Sequence, residues 1–358
     1  MIPSVPHARR SNTLSSSLGL GEKLFASSDE RRFAAAIEEG LEQVEEGLLG
    51  AMEFADEIAD VTGRYLMEAG GKRVRPVLTL LTAQLGNGNN PEVIMAAQAI
   101  EITHVASLYH DDVMDEAEMR RGVPSAQTVW GNSVAILTGD LLFARASKLV
   151  ASLGERAITL QSNTFEKLCL GQLHETIGPR HGEDPVEHYL QVLADKTGSL
   201  IATAAEVGVI FSNAPEEYVI PVRTFGEKIG VAFQLIDDII DLSDKSEVTG
   251  KTAGTDLRAG VSTLPLLYLR ELAKTDSDAD DLLRRIERDV TTAFYGEADE
   301  QDLNAAIAEL REHSVTAQTL EEAHRWAREA VEALEPLPDG PVKKALTRFA
   351  DSIVERSN

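Results

Sequence analysis

Between Phe33 and Met52 the apolar residues Phe33, Ile37, Leu41, Val44, Leu48 and Met52 recur at steps of three or four, the spacing of one helix face. The chain repeats this rhythm and nowhere sustains the apolar–polar alternation of a half-buried strand. Such a sequence buries its apolar stripes by packing helix on helix. The spacing predicts a helix from about Pro91 to Asp115, with proline in its first turn. Further helices are predicted over Ser133–Ala151, Ala157–Glu175, Pro185–Ser212, Tyr218–Leu242, Ser262–Ala273, Asp302–Leu310, Leu320–Leu334 and Val342–Glu355. Breaks fall at Gly70-Gly71 and in segments 86–91, 178–184, 249–254 and 275–281, none long enough for an interdomain linker. The expectation is all-α: a single large helical bundle over residues 29–358, after a disordered or loosely attached lead-in over 1–28.

A formal charge of −25 argues against nucleic acid as a partner over any broad surface, and makes each basic cluster stand out. The single cysteine, Cys169, permits no internal disulfide and suits a reducing, cytoplasmic setting, where it reads as a small buried apolar residue. The Ser-rich N-terminus carries Arg9 and Arg10 but lacks the continuous apolar run of a secretory signal. The most apolar stretch, Ser199–Phe211, is interrupted by Glu206 and falls short of the ~20 residues a bilayer span needs.

The chemistry is concentrated in an acidic word that occurs twice, Asp111-Asp112-Val113-Met114-Asp115 and Asp237-Asp238-Ile239-Ile240-Asp241, each ending an apolar helical run. On a helix the first and fifth residues lie one turn apart on one face, so each copy offers a pair of carboxylates. Two such pairs facing each other form an all-oxygen cage suited to Mg²⁺, whose remaining positions water and substrate phosphates typically fill. Two basic clusters, Lys72-Arg73-Val74-Arg75 after Gly70-Gly71 and Arg120-Arg121-Gly122 after the first word, suggest anion subsites. His104 falls on the face of Asp111 and Asp115, and Gln234 lies one turn before Asp237. Lys196-Thr197-Gly198 interrupts an apolar helix, and Gly250-Lys251 opens a glycine-containing loop suited to closing over phosphate.

In these landmarks the chain resembles the trans-isoprenyl diphosphate synthases, the polyprenyl synthetase family. The resemblance rests on GGKRVRP at 70–76, EITHVASLYHDDVMDEAEMRRG at 101–122, GD at 139–140, KTG at 196–198 and FQLIDDIID at 233–241, with GK, DL and TLP beyond. It implies an isoprenoid synthase bundle around a deep central cavity, usually a homodimer. It implies that Asp111, Asp115 and Asp237 bind Mg²⁺ bridging an allylic diphosphate, with Asp241 acting through the metal's hydration shell. Arg120, Lys196 and Lys251 would hold that diphosphate, while Lys72, Arg75, His104 and Arg121 would hold isopentenyl diphosphate. Thr197 and Gln234 would line the region where positive charge develops. The chain departs from the family where many members carry lysine: here Val261 follows Gly260, so one phosphate contact is missing.

The resemblance also bears on product length. Ala106 and Ser107, where short-chain members often carry an aromatic plug, are small, and the first word lacks the two-residue insertion of bacterial farnesyl diphosphate synthases. The expected product is C30–C50, destined for a quinone side chain, with at most peripheral membrane contact for its release. Geranylgeranyl diphosphate is the alternative, with a residue such as Phe143 as floor. More distant are a class I terpene cyclase, whose second metal motif differs, and a di-iron carboxylate bundle, suggested by the Glu-x-x-His words Glu101–His104 and Glu321–His324.

Overall fold

The computed structural model describes residues 28–243, 253–294 and 300–357. In chain order the helices are α1 (Ser28–Ala51), α2 (Glu57–Glu68), α3 (Val74–Ala83), α4 (Pro91–Met114), α5 (Ala126–Trp130), α6 (Asn132–Leu153), α7 (Glu155–Ile177) and α8 (Pro185–Leu193). There follow α9 (Ser199–Phe211), α10 (Val219–Asp241), α11 (Thr255–Arg258), α12 (Leu264–Leu272), α13 (Ser277–Phe294), α14 (Glu300–Glu312), α15 (Ser314–Ala333) and α16 (Pro341–Val354). The all-α expectation holds. Among the described residues, β structure is confined to a hairpin of two-residue strands, β1 (Met119–Arg120) and β2 (Val123–Pro124).

Local chemistry accounts for the helix starts. Asn90 caps α4, its side chain accepting from the Val93 N–H at 2.8 Å, and Pro91 occupies the first turn, where a missing N–H costs nothing. Asp184 and Pro185 do the same for α8. The acidic stretch at 275–281, expected as a break, instead starts α13. Asp276 accepts from the N–H groups of Asp278 and Ala279, and carboxylates at a helix N-terminus are favourable. The apolar residues Ala279, Leu282 and Ile286 of α13 are buried, a stripe hidden in the sequence by the charges around it. The predicted helix Pro185–Ser212 is interrupted by a π-helical turn at Ala194–Gly198. Cys169 is exposed, contrary to the buried position expected of it.

The chain divides into two compact units. The first comprises Met1–Glu166, Leu200–Gly226 and Ala333–Phe349. Its axis is α4, which touches α1, α3, α5 and α6 and is therefore apolar nearly all round, with Ile102, Val105, Ala106 and Tyr109 fully buried. The α1 stripe from Phe33 to Met52 is buried as its spacing demands. The second unit comprises Lys167–Ser199, Glu227–Glu332 and Ala350–Asn358, with a core of Leu242, Leu257, Leu269, Leu282, Leu303 and Leu310.

In the first unit α3 and α9 approach closely enough for backbone contact. The Thr79 hydroxyl donates to the Ala204 carbonyl at 2.8 Å, and a Cβ at Gly208 would stand 2.1 Å from Thr82 Oγ1 and 2.3 Å from the Thr79 carbonyl oxygen. Gly208→Ala gains helix propensity of about 1 kcal/mol but overpacks this contact, at a cost of about 1–3 kcal/mol. A lower urea midpoint with unchanged slope is the expected result. A midpoint equal to or above wild type would show that the helices separate freely.

Candidate active site

The first acidic word occupies the last turn of α4, and its aspartates do not share one environment. Asp111 is half-buried and Asp115 exposed, the Asp115 N–H donating to the Asp111 carbonyl at 2.8 Å. Asp112 is wholly buried. Its Oδ1 accepts from Arg120 Nε at 2.6 Å, and its Oδ2 has no hydrogen-bond partner. Burial pushes its carboxyl above the usual range, against the pull of the Arg120 guanidinium.

Arg120 is delivered by the β1–β2 hairpin. Its loop residues Arg121 and Gly122 both have positive φ, 53° and 78°, the mark of a type I′ turn. The Arg120-Arg121-Gly122 cluster is thus a turn signal as well as a charge cluster, with its glycine at the second loop position.

The cations gather around a carboxylate the sequence reading did not assign to the site. Glu101, 2% exposed, lies 3.4 Å from Arg73 NH1 and 4.0 Å from Arg121 NH2. Arg73 is buried, bound also to Glu45 and to the carbonyls of Met67 and Gly70, and so supports the group rather than facing a ligand. Arg121 donates to the Leu66 carbonyl at 2.6 Å. The Arg75 Nε is buried without a partner, and burial brings its pKa down to about 10 against the opposing effect of Glu101. Burial, then Arg75, Arg121, Arg120 and Arg73, hold His104 well below the usual imidazole range, so its ring is neutral at pH 7. Lys72 is exposed on the same segment. A side chain at Gly71 would meet Arg73 NH1 at 2.5 Å, so the glycine makes room for the guanidiniums. Glu101 was legible as a lone charge in an apolar helix, one turn before His104 and on its face. Its engagement with arginines is not the geometry of a di-iron ligand.

In the second unit Asp237 and Asp241 are partly exposed at the end of α10, and Gln234 is half-buried one turn earlier. Asp237 Oδ1 accepts from Arg356 NH2 at 3.0 Å, and Asp241 Oδ2 accepts from the Asp256 N–H at 3.1 Å. Asp238 is buried and accepts from the Tyr189 hydroxyl at 2.7 Å. Burial raises its pKa to about 8. Lys196 and Thr197 lie in the π-helical turn, a feature that recurs at functional sites. Lys196 pairs with Glu175, and the turn packs so closely that a Cβ at Gly171 would stand 2.7 Å from the Lys196 nitrogen. Lys251 lies outside the described residues. Val261 is exposed, its N–H donating to the Asp256 carbonyl.

Each acidic pair offers oxygen donors without thiolate or imidazole, the chemistry of a hard cation. Among the described residues no group of three His, Cys, Asp or Glu side chains could by itself hold a metal ion. A Mg²⁺ bound by one or two carboxylates, completed by water and phosphate oxygens, fits that donor set.

Below the first word, in the same unit, is a cavity walled by small and apolar residues. Ala96, Ala99, Ile100 and Thr103 line it from α4, and Phe211 from α9. The Thr103 hydroxyl is bonded to the Ala99 carbonyl. Ala96 is fifteen residues before Asp111, or about 22 Å along the helix. Ala106 and Ser107 are not part of this lining. Ala106 is fully buried beside Gly139, whose Cβ position is 3.1 Å from the Ala106 carbonyl oxygen, and Ser107 donates to the His104 carbonyl. Phe143 packs on His110 and Phe165.

A family model described as polyprenyl synthetase matches residues 56–298. The chain is 42% identical to the nonaprenyl diphosphate synthase of Mycobacterium tuberculosis, over 90% of its own length and 94% of that protein. It is similar to the crystal structure of a decaprenyl diphosphate synthase from Rhodobacter capsulatus, with a TM-score of 0.79 and 34% identity over 92% of this chain and 99% of that one. It is also similar to a geranylgeranyl pyrophosphate synthase from Corynebacterium glutamicum solved with calcium and isoprenyl diphosphate, with a TM-score of 0.78 and 37% identity over 93% and 99%.

The His104 environment has a testable sign. Its folded pKa lies below the unfolded value of about 6.5, so its share of stability is present above that pH. As pH falls, the unfolded chain takes up a proton the folded one resists, and that share is lost. An anion among the arginines reverses the local field and raises the pKa. NMR of the His104 ring is expected to show it neutral at pH 6 in the free protein, with a titration that moves upward on adding inorganic pyrophosphate. A midpoint near 6.5, indifferent to pyrophosphate, would contradict the anion site.

Proposed function

The chain belongs to the polyprenyl synthetase family, and from that premise we propose that it joins isopentenyl diphosphate to an allylic diphosphate, giving an all-trans polyprenyl diphosphate of C30–C50 for a quinone side chain. It is a trans-prenyltransferase. One observation carries the substrate reading: a single helix, α4, presents an acidic pair at its end, a group of guanidiniums beside it and an apolar cavity below. That order suits a substrate with a diphosphate head and a hydrocarbon tail.

In this reading Asp111 and Asp115 of the first word and Asp237 of the second would serve as Mg²⁺ ligands, with Asp241 assisting. The bound metal supplies charge neutralisation at the departing diphosphate. Arg120, Lys196 and Lys251 hold that diphosphate, and Lys196 exchanges its Glu175 partner to do so. Lys72, Arg75, His104 and Arg121 hold isopentenyl diphosphate, with Arg75 contributing the unpartnered Nε and His104 a neutral ring N–H. Thr197 and Gln234 face the carbon that becomes cationic, while apolar walls keep water from it. As the allylic C–O bond breaks and diphosphate leaves, the isopentenyl double bond supplies the electron pair of the new C–C bond, and proton loss to the released diphosphate then forms the new double bond.

The long product is supported by similarity to a nonaprenyl synthase and by the alanines along the cavity. Geranylgeranyl diphosphate, the shorter alternative, draws on the Phe211 ring at the cavity. Among the described residues no helix is long and apolar enough to cross a membrane. The lone cysteine supports a cytoplasmic setting. Exposed Ile136, Leu137 and Leu141 on α6 support a homodimer that covers them. Sedimentation of a monomer at micromolar concentration would overturn that.

Purified protein with Mg²⁺, isopentenyl diphosphate and C5, C10, C15 or C20 starters is expected to yield products beyond C20 by chromatography. Asp111→Asn should fold normally and lose several orders of magnitude in turnover, since the metal contributes several kcal/mol to the transition state. Ala99→Phe should shorten the product while leaving the first condensation active. Products ending at C15 or C20, or unchanged in Ala99→Phe, would overturn the long-chain reading.

A further inference from the structure

The second aspartate of each acidic word points away from its neighbours. Asp112 is fully buried and bound to Arg120, whereas Asp111 and Asp115 reach solvent. Asp238 is fixed by a different donor. Tyr189 of α8 donates its hydroxyl to Oδ2 at 2.7 Å, which ties the buried carboxylate of α10 to a second helix.

A helix end can roll and fray, and here it carries Asp237 and Asp241 one turn apart on its open face. Fixing the residue between them on the closed face fixes the direction of both. We propose that Asp238 is a positioning residue rather than a cation ligand, and that Tyr189, through its hydroxyl, holds the second acidic word in the orientation that binds the cation. This rests on the metal role proposed for Asp237, and it adds Tyr189, which no motif singled out, to the residues on which that role depends.

The test uses Mn²⁺ as probe on the full-length protein, with unbound ion followed by electron paramagnetic resonance and thermal midpoint recorded without metal. Tyr189→Phe removes one oxygen and leaves the ring. Loss of an outer partner weakens metal sites by roughly 10–100-fold, so affinity should fall about tenfold. In Asp238→Asn the Tyr189 hydroxyl can still donate to the amide oxygen or turn to accept from the amide N–H, so its affinity should stay within about threefold of wild type. Tyr189→Phe with a lowered midpoint and wild-type affinity would leave the hydroxyl a purely structural role and overturn the proposal. So would an Asp238→Asn protein as impaired as Asp237→Asn, which would make Asp238 a ligand. If Asp237→Asn binds Mn²⁺ like wild type, the metal reading itself fails, independently of Tyr189.

Discussion

The acidic ends of α4 and α10 each depend on a carboxylate taken out of water. A buried aspartate is costly unless donors surround it, and that cost ties each helix end to the elements that supply them. At Asp112 the donor is Arg120, held out by the type I′ turn; at Asp238 it is the Tyr189 phenol. The neighbouring aspartates of each word are left partly or fully exposed. The repeated word thus contains two kinds of aspartate, and the adjacent pair is split between them.

The cation group of the first unit is built on a comparable constraint. Guanidiniums repel one another, so Arg73, Arg75 and Arg121 can be close only around a shared anion, and Glu101 is that anion. Arg73 is consumed in the support, bound to carbonyls and to Glu45. The unpartnered Arg75 Nε and the neutral His104 remain as groups that gain when an anion arrives.

Much of this was legible in the sequence because helices announce themselves by periodicity. The α1 stripe, the start of α4 at Pro91 and the twin acidic words were readable from spacing and from the proline in the first turn. The failures were local and physical. A hairpin of two-residue strands is too short to show alternation, so Arg121-Gly122 read as charge rather than turn. A π-helical turn uses residues that suit an α-helix equally well, and the turn at Ala194–Gly198 packs tightly on Gly171, a contact no local pattern announces. The acids of α13 looked like loop because charge outweighed a short apolar stripe. Which aspartate of each word is buried was not readable, since it depends on Arg120 and Tyr189 arriving from elsewhere. Ala106 packs against Gly139 of α6, while the cavity is lined from α4 by Thr103, Ile100, Ala99 and Ala96, an arrangement that depends on the neighbouring helices and not on spacing.

The contrast between a chain of charge −25 and its small cationic pocket has a kinetic side. A diphosphate beyond a Debye length, about 8 Å at physiological ionic strength, is repelled by the net charge. Attraction takes over only at short range, where the guanidiniums dominate the local field. Added salt shortens the reach of the repulsion more than it weakens contact inside the pocket, so it lowers the outer barrier to capture. A diphosphate that travels with a divalent ion already attached carries less charge across that barrier. The same ion that suits the carboxylates thus also eases the approach, and encounter rate and ion supply become coupled before any bond is broken.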